Sequence, residues 1–142
     1  MSTAIGLDLG SKTVGVALSA SGVIASPLET VRFPENDMDK ALAAVCRLID
    51  AHEVKTVILG YPKHMNNDVG PRAKVSETFK ESLEVARPVE VILWDERLSS
   101  SAANRAMLAG DLSRRDRKDK KDSLAAVIIL QNWLDSQRRN KP

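Results

Sequence analysis

Apolar and polar positions alternate through the first third of the chain and then change period. From Ala4 to Leu9, Ile5, Leu7 and Leu9 fall on one side of an extended chain, while Gly6, Asp8 and Gly10 fall on the other. Thr13 to Ser19 and roughly Val23 to Arg32 read as two further strands. The links between them, Gly10-Ser11-Lys12 and Ser21-Gly22, are short enough for an antiparallel meander. Between Asn36 and Glu53 the apolar residues Met38, Leu42, Val45, Cys46 and Ile49 form one stripe of a helix. Lys55 to Gly60 is a continuous apolar run of the kind buried on both faces of a parallel sheet. A helix is predicted from Pro71 to Ala86 with Val75, Phe79 and Leu83 inward, then a strand from Val89 to Trp94 that ends in the charged triplet Asp95-Glu96-Arg97. Another helix follows from Ser99. A basic loop, Arg114 to Lys121, leads into a last helix from about Asp119 to Gln137, with Leu124, Val127, Ile128 and Leu134 on its inner face.

Three hairpin-linked strands followed by helix, strand, helix, strand and helices define an α/β fold. Its sheet is mixed, because the two later strands require crossover connections. The 142 residues carry no internal repeat or linker and suit one domain spanning 1–142. The longest apolar run, Leu124 to Leu130, is too short to cross a bilayer, and the first residues lack the character of an export signal. A cytoplasmic protein without membrane partners is expected. The lone cysteine, Cys46, lies among apolar residues at helical spacing and reads as a buried structural thiol.

Charge alters this picture locally. The formal net charge is +2, yet Arg114 to Lys121 holds six basic residues against Asp116 and Asp119, and Arg138, Arg139 and Lys141 crowd the tail. The remainder is acidic, so positive potential is concentrated where a polyanion would be met.

Asp8 carries the chemical argument. A core strand has no reason to set an ionised carboxylate among glycines unless something charged approaches the backbone there, a metal ion or a phosphate. Ligands of such sheets gather at strand carboxyl ends, where Asp8, Glu96 and the Gly60 to Asn67 loop all fall. Phosphodiester hydrolysis needs charge compensation on the attacking and leaving oxygens. Two magnesium or manganese ions held by a few carboxylates supply it with no obligatory histidine. Asp8, Glu96 and Asp122 fit that requirement, although Asp122 at the start of a helix also fits a capping role. Strand alternation prevents Asp95 and Glu96 from sharing one site and does not choose between them. Asp119, three residues before Asp122, is a candidate auxiliary ligand.

The order of motifs resembles the YqgF family of small ribonuclease H-like proteins. Gly6-Leu7-Asp8-Leu9-Gly10-Ser11-Lys12 with Gly15-Val16-Ala17 is similar to its opening, and Leu59-Gly60-Tyr61-Pro62 with Met65, Asn66, Gly70, Pro71, Arg72, Ala73 and Phe79 to its centre. Asp95-Glu96-Arg97-Leu98 is similar to its acidic motif. Lys118 and Asp122, with Ala125-Ala126 and Ile129-Leu130-Gln131, are similar to its close. The resemblance implies a ribonuclease H-like mixed five-stranded sheet, three strands antiparallel and two added in parallel, flanked by helices. It implies a metal-dependent nuclease with Asp8, Glu96 and Asp122 as catalytic, metal-binding carboxylates, and it selects Glu96 over Asp95. The implied role is maturation of the 5′ end of precursor 16S ribosomal RNA, with pre-ribosomal particles as partners; the alternative is a Holliday junction resolvase acting on structured DNA. The chain departs from the family at Thr13, at Ser99-Ser100 and at Asp68, none of them a proposed ligand.

Lys12 and Arg97 flank the proposed ligands and suit contact with substrate phosphate, as does Arg72 at the start of a helix. Arg114, Arg115 and Lys118 belong to the basic segment that would meet nucleic acid. His52, near the end of the first helix, fits carbonyls or solvent better than metal; His64 lies in the Gly60 to Asn67 loop but is not counted among the ligands; Trp94 and Trp133 fit core or rim positions. Two rival classes are a phosphotransferase of the actin and sugar-kinase type, which needs two domains around its nucleotide, and a non-catalytic RNA-binding assembly factor.

Overall fold

The computed structural model describes residues 3–10, 12–61, 71–95 and 114–139, with side chains described over 74–94 and 124–137 in the last two segments. The strands are β1 (Thr3–Leu9), β2 (Thr13–Ser19), β3 (Ser26–Arg32), β4 (Val54–Tyr61) and β5 (Glu90–Asp95). The helices are α1 (Met38–His52), α2 (Pro71–Ala86) and α3 (Arg114–Arg139). They build a five-stranded sheet in the order β3-β2-β1-β4-β5. β1, β2 and β3 pair antiparallel, and β4 and β5 add in parallel, as their crossover connections through α1 and α2 require. The predicted α/β mixed sheet is therefore the observed one. The helix expected from Ser99 lies outside the described residues.

Alternation along β1 sorts the interior into two halves. Ile5, Leu7 and Leu9 join Val14, Val16, Val57 and Leu59 beneath α1 and α2, which contribute Val45, Ile49, Phe79 and Leu83. Each such side chain, fully buried, stabilises the fold by about 1.5–3 kcal/mol relative to exposure, before the entropy of ordering it is counted. Helix α1 begins at Asp37, whose Oδ1 accepts from the Lys40 N–H at 3.2 Å, and it stops where Glu53 turns left-handed at φ 53° and donates its N–H to the Ile49 carbonyl. Cys46 is buried in this half, as expected of a structural thiol, and burial raises its pKa. The other half joins Ala4, Ala17, Ala25 and Ile58 from the sheet side to Ala126, Val127, Ile129, Leu130 and Leu134 of α3, with alanines more frequent on the sheet side.

Four expectations are corrected. The expectation that something charged approaches the backbone among the glycines does not hold at Gly6, because α3 lies over it. A methyl carbon placed on Gly6 would sit 2.7 Å from Leu130 Cβ and 2.8 Å from the Ala126 carbonyl oxygen, so glycine is required there by helix packing. The basic segment from Arg114 is not a loop. It forms the first turns of α3, since Arg and Lys are good helix formers even where no apolar stripe announces a helix. Asp122 consequently lies more than two turns inside the helix, and its capping role falls away. Finally, β3 starts at Ser26 rather than Val23. The backbone of Val23 and Ala25 is engaged by the Gln131 side chain, and Ser21 Oγ accepts from the N–H groups of Val23 and Ile24.

Candidate active site

Asp8 stands near the carboxyl end of β1, half-buried, on the α3 side of the sheet. Its partner on β2 is Gly15, and on β4 the residue one step beyond the pair Leu7 and Leu59 is Gly60. With Gly6 and Gly10 before and after it on the same face of the chain, four of the seven glycines surround this carboxylate. α3 fills the Gly6 position, while Gly10, Gly15 and Gly60 present no side chain of their own. The row continues to β5, where Gly60 pairs with Trp94. Trp94 and Ile92 pack with the α3 half of the core, and Val91 and Leu93 with the other half. The faces of β5 are thereby sorted as far as Trp94, the last of its residues whose side chain is described, and the choice between Asp95 and Glu96 lies beyond it. The Trp94 indole Nε1 is buried with no hydrogen-bond partner, an uncommon state for such a donor. Trp94 and Trp133 are partly buried against the α3 half, as core or rim residues.

The direction of α3 follows from its anchors. Gln131 reaches Val23 and Ala25, just past the Ser19 end of β2 and so beside the Ala4 end of β1. Ala126 and Leu130 lie over Gly6. Proceeding from Gln131 toward the helix start therefore moves along β1 toward Asp8. Asp122 is one turn beyond Ala126 in that direction, about 6 Å of helical rise.

Lys12 is exposed in the β1–β2 hairpin, a turn closed by the Gly10 N–H donating to the Thr13 carbonyl at 2.7 Å. Its carbonyl accepts from the Phe33 N–H at 3.0 Å. Arg72 is the second residue of α2, at the same end of the sheet as the close of β4. Arg114, Arg115 and Lys118 occupy the first turns of α3, with Asp119 and Asp122 further in. Glu96, Arg97 and His64 lie outside the described residues. His52 is the final residue of α1 and belongs to the amino-terminal end of the parallel strands, remote along the sheet from Asp8. Among the described residues no three His, Cys, Asp or Glu side chains cluster tightly enough to hold a metal ion. No described helix is long and apolar enough to cross a membrane.

Two braces escaped the sequence reading. Tyr61 donates its hydroxyl to Glu77 Oε1 at 2.8 Å, and this bond to a carboxylate raises the phenol's pKa. Buried Ser76 points its Oγ at the Gly60 carbonyl, 3.4 Å away. Both tie α2 to the end of β4 next to Asp8. Neither a serine nor a glutamate inside a helix gives a signal in the sequence.

An antiparallel meander extended by two parallel strands is a fold that this chain shares with solved structures. The chain spans 99% of itself and 98% of the RuvC of T. thermophilus solved in complex with a Holliday junction substrate, at TM-score 0.69 and 15% identity. The fowlpox virus Holliday junction resolvase is similar over 94% of this chain and 99% of its own, at TM-score 0.56 and 14% identity. The profile of the RuvX family, described as Holliday junction resolvase, matches residues 2–136, and the chain belongs to that family. A Bacillus subtilis (strain 168) protein named "Putative pre-16S rRNA nuclease" is 47% identical, covering 93% of this chain and 96% of that protein. A Staphylococcus saprophyticus protein of the same name is 48% identical over 93% of this chain and 94% of its own.

Proposed function

We propose that this protein is a metal-dependent nuclease that matures the 5′ end of precursor 16S ribosomal RNA, acting in the cytoplasm on RNA within pre-ribosomal particles. The observation that carries the reading is Asp8, half-buried between Gly15 and Gly60 on the α3 face of the central strand. A carboxylate there has hard oxygen ligands to offer and no neighbouring side chain from those strands to exclude a phosphodiester. The parity of Glu96 with Trp94 and the course of α3 from Gln131 past Gly6 support Glu96 and Asp122 as its companions. Asp8, Glu96 and Asp122 would hold two Mg2+ or Mn2+ ions, an oxygen-only donor set suited to either. Ions so held supply stabilisation of negative charge on the attacking and leaving oxygens.

The remaining work falls to the chain's own residues. Lys12 and Arg97 flank the carboxylates and orient the scissile phosphate, and Arg72 adds a bidentate donor beside the start of α2. Arg114, Arg115 and Lys118 draw the nucleic-acid backbone along α3. The precursor ribosomal RNA reading rests on the names of relatives 47–48% identical over most of the chain. A resolvase-like action on four-way DNA is the second reading, favoured by the family's description.

The test compares wild type with Asp8→Asn and Glu96→Gln on precursor ribosomal RNA and on four-way DNA junctions. Each is assayed with Mg2+, with Mn2+ and with chelator. Wild type should cleave the RNA in a metal-dependent way, and both variants should lose at least a hundredfold in rate while keeping their fold. Equal cleavage by all three proteins would remove the enzyme reading, and cleavage of the junction alone would replace RNA with DNA.

A further inference from the structure

We propose that Gln131 is a positioning residue, the clamp that sets where α3 sits along the sheet and thereby where Asp122 stands relative to Asp8; this rests on the nuclease reading above. The side-chain amide of Gln131 makes two bonds to one short stretch of backbone. Its Oε1 accepts from the Ala25 N–H at 2.8 Å, and its Nε2 donates to the Val23 carbonyl at 3.0 Å. A carboxamide offers the same donor and acceptor pair as a peptide group, so the helix grips residues 23 and 25 much as an adjoining strand would. Nε2 also donates to Asp135 Oδ1 at 3.0 Å, one turn on. Reversing the amide would set its oxygen against both the Asp135 carboxylate and the Val23 carbonyl, and its NH2 against the Ala25 N–H. The orientation is thus fixed by three partners.

Among the described side chains of α3, 124–137, Gln131 alone is seen to hydrogen-bond the backbone of the sheet side. The remaining described contacts join Ala4, Ala17 and Ile58 to Ala126, Ile129 and Leu130, apolar side chains whose burial is favourable but non-directional. The notch at Gly6 fixes how closely the helix approaches the sheet. The hydrogen bonds of Gln131 fix its position along the helix axis. Asp122 is nine residues upstream on the same rigid rod, so an axial slip at the clamp is transmitted to it undiminished. Catalytic groups tolerate little of this, since displacement by about 1 Å costs on the order of a hundredfold in rate.

Gln131→Met keeps the length and apolar stem of the side chain and removes every clamp bond. Gln131→Glu keeps the acceptor for Ala25 and loses both donations. Leu42→Ala, in the opposite half of the core, serves as a destabilised control. Three quantities are measured at a temperature well below each melting point: kcat and KM on precursor ribosomal RNA, and Mn2+ affinity by calorimetry without RNA. The expected result for Gln131→Met is a kcat at least tenfold lower, a KM within twofold of wild type and Mn2+ binding at least fivefold weaker. Gln131→Glu should fall between Met and wild type, and Leu42→Ala should match wild type in kcat and Mn2+ affinity. Wild-type kcat and Mn2+ affinity in both Gln131 variants would overturn the clamp alone, as would an equal loss in Leu42→Ala. Wild type that neither cleaves nor binds Mn2+ would overturn the nuclease reading itself, a result easily told from the first.

Discussion

A single methyl group at Gly6 should separate stability from catalysis. Built on the observed backbone, that methyl lies 2.7 Å from Leu130 Cβ, 2.8 Å from the Ala126 carbonyl oxygen and 3.4 Å from Leu130 Cα. Non-bonded carbon atoms settle at about 3.5–4.0 Å, so α3 must withdraw by roughly 1 Å. The obstacle is helix backbone together with a Cβ atom, neither of which can rotate aside. Overpacking of this kind costs about 1–3 kcal/mol. Gly6 is not among the residues with positive φ, so alanine there is unstrained and reduces unfolded-state entropy, which returns about 0.4–1 kcal/mol. The net loss is then on the order of 1–2 kcal/mol, against a total stability of about 5–15 kcal/mol for a domain of ordinary size. The Gly6→Ala protein therefore stays folded, with Tm lower by roughly 4–8 °C. The same 1 Å withdrawal carries Asp122 away from Asp8 and should lower kcat about a hundredfold. Thermal unfolding followed by circular dichroism gives the first quantity, and single-turnover RNA cleavage at 25 °C the second. A variant as stable and as active as wild type would show that α3 does not seat on Gly6, and the proposed meeting of carboxylates would lose its frame.

Two further outcomes are expected. Replacing Arg114, Arg115 and Lys118 together with Gln should weaken RNA binding and flatten the dependence of log K on log salt by about 2, near 0.7 for each phosphate that is no longer neutralised; filter binding between 50 and 200 mM salt measures it, and an unchanged slope would take these residues out of the interface. Arg87 donates to both carboxylate oxygens of Asp50, at 2.8 and 2.9 Å, and those hydrogen bonds hold the Asp50 pKa below its ordinary value. A carboxylate depressed in the folded state contributes stability above the unfolded pKa and loses it as pH falls through the folded one. The Tm difference between wild type and Arg87→Ala should accordingly be present at pH 7, small because the pair is exposed, and close as the solution is acidified through the carboxylate range.

Periodicity disclosed most of the frame, because it is produced by the same alternation that sorts side chains onto two faces. The bounds of α2 were legible to the residue from Pro71 and the stripe Val75, Phe79, Leu83. Long-range partners were not. Gly6 reads as space for a ligand until α3 is seen to occupy it, and nothing in the seven residues of β1 announces a helix more than a hundred residues away. The first turns of α3 were hidden for a different reason, since a run of charges without an apolar stripe looks like a loop although its residues favour helix. Gln131 follows an almost unbroken apolar run, so its hydrogen bonds to Val23 and Ala25 left no pattern to find. Alternation along β5 likewise could not say which of its faces meets α3, a tertiary fact carried by the packing of Ile92 and Trp94.

The two faces of the sheet differ in bulk, and the difference has a functional consequence. Under α1 and α2 the strands present Ile5, Leu7, Val57 and Leu59, which hold the helices at a distance set by large side chains and bury much apolar area. Under α3 the strands β1 and β2 present Ala4, Gly6 and Ala17, while the bulk on that face comes from Ile58, Ile92 and Trp94 of β4 and β5, so the backbones of helix and strand come close over β1. Close approach gains less area for each residue, but it leaves the spacing to backbone atoms, which adjust less than side chains do. That is the arrangement a site needs when short carboxylates such as Asp8 and Asp122 must converge from separate elements. Substitutions beneath α1 and α2 should therefore act chiefly on Tm, while changes of one methyl group beneath α3 should act on kcat well before they threaten the fold.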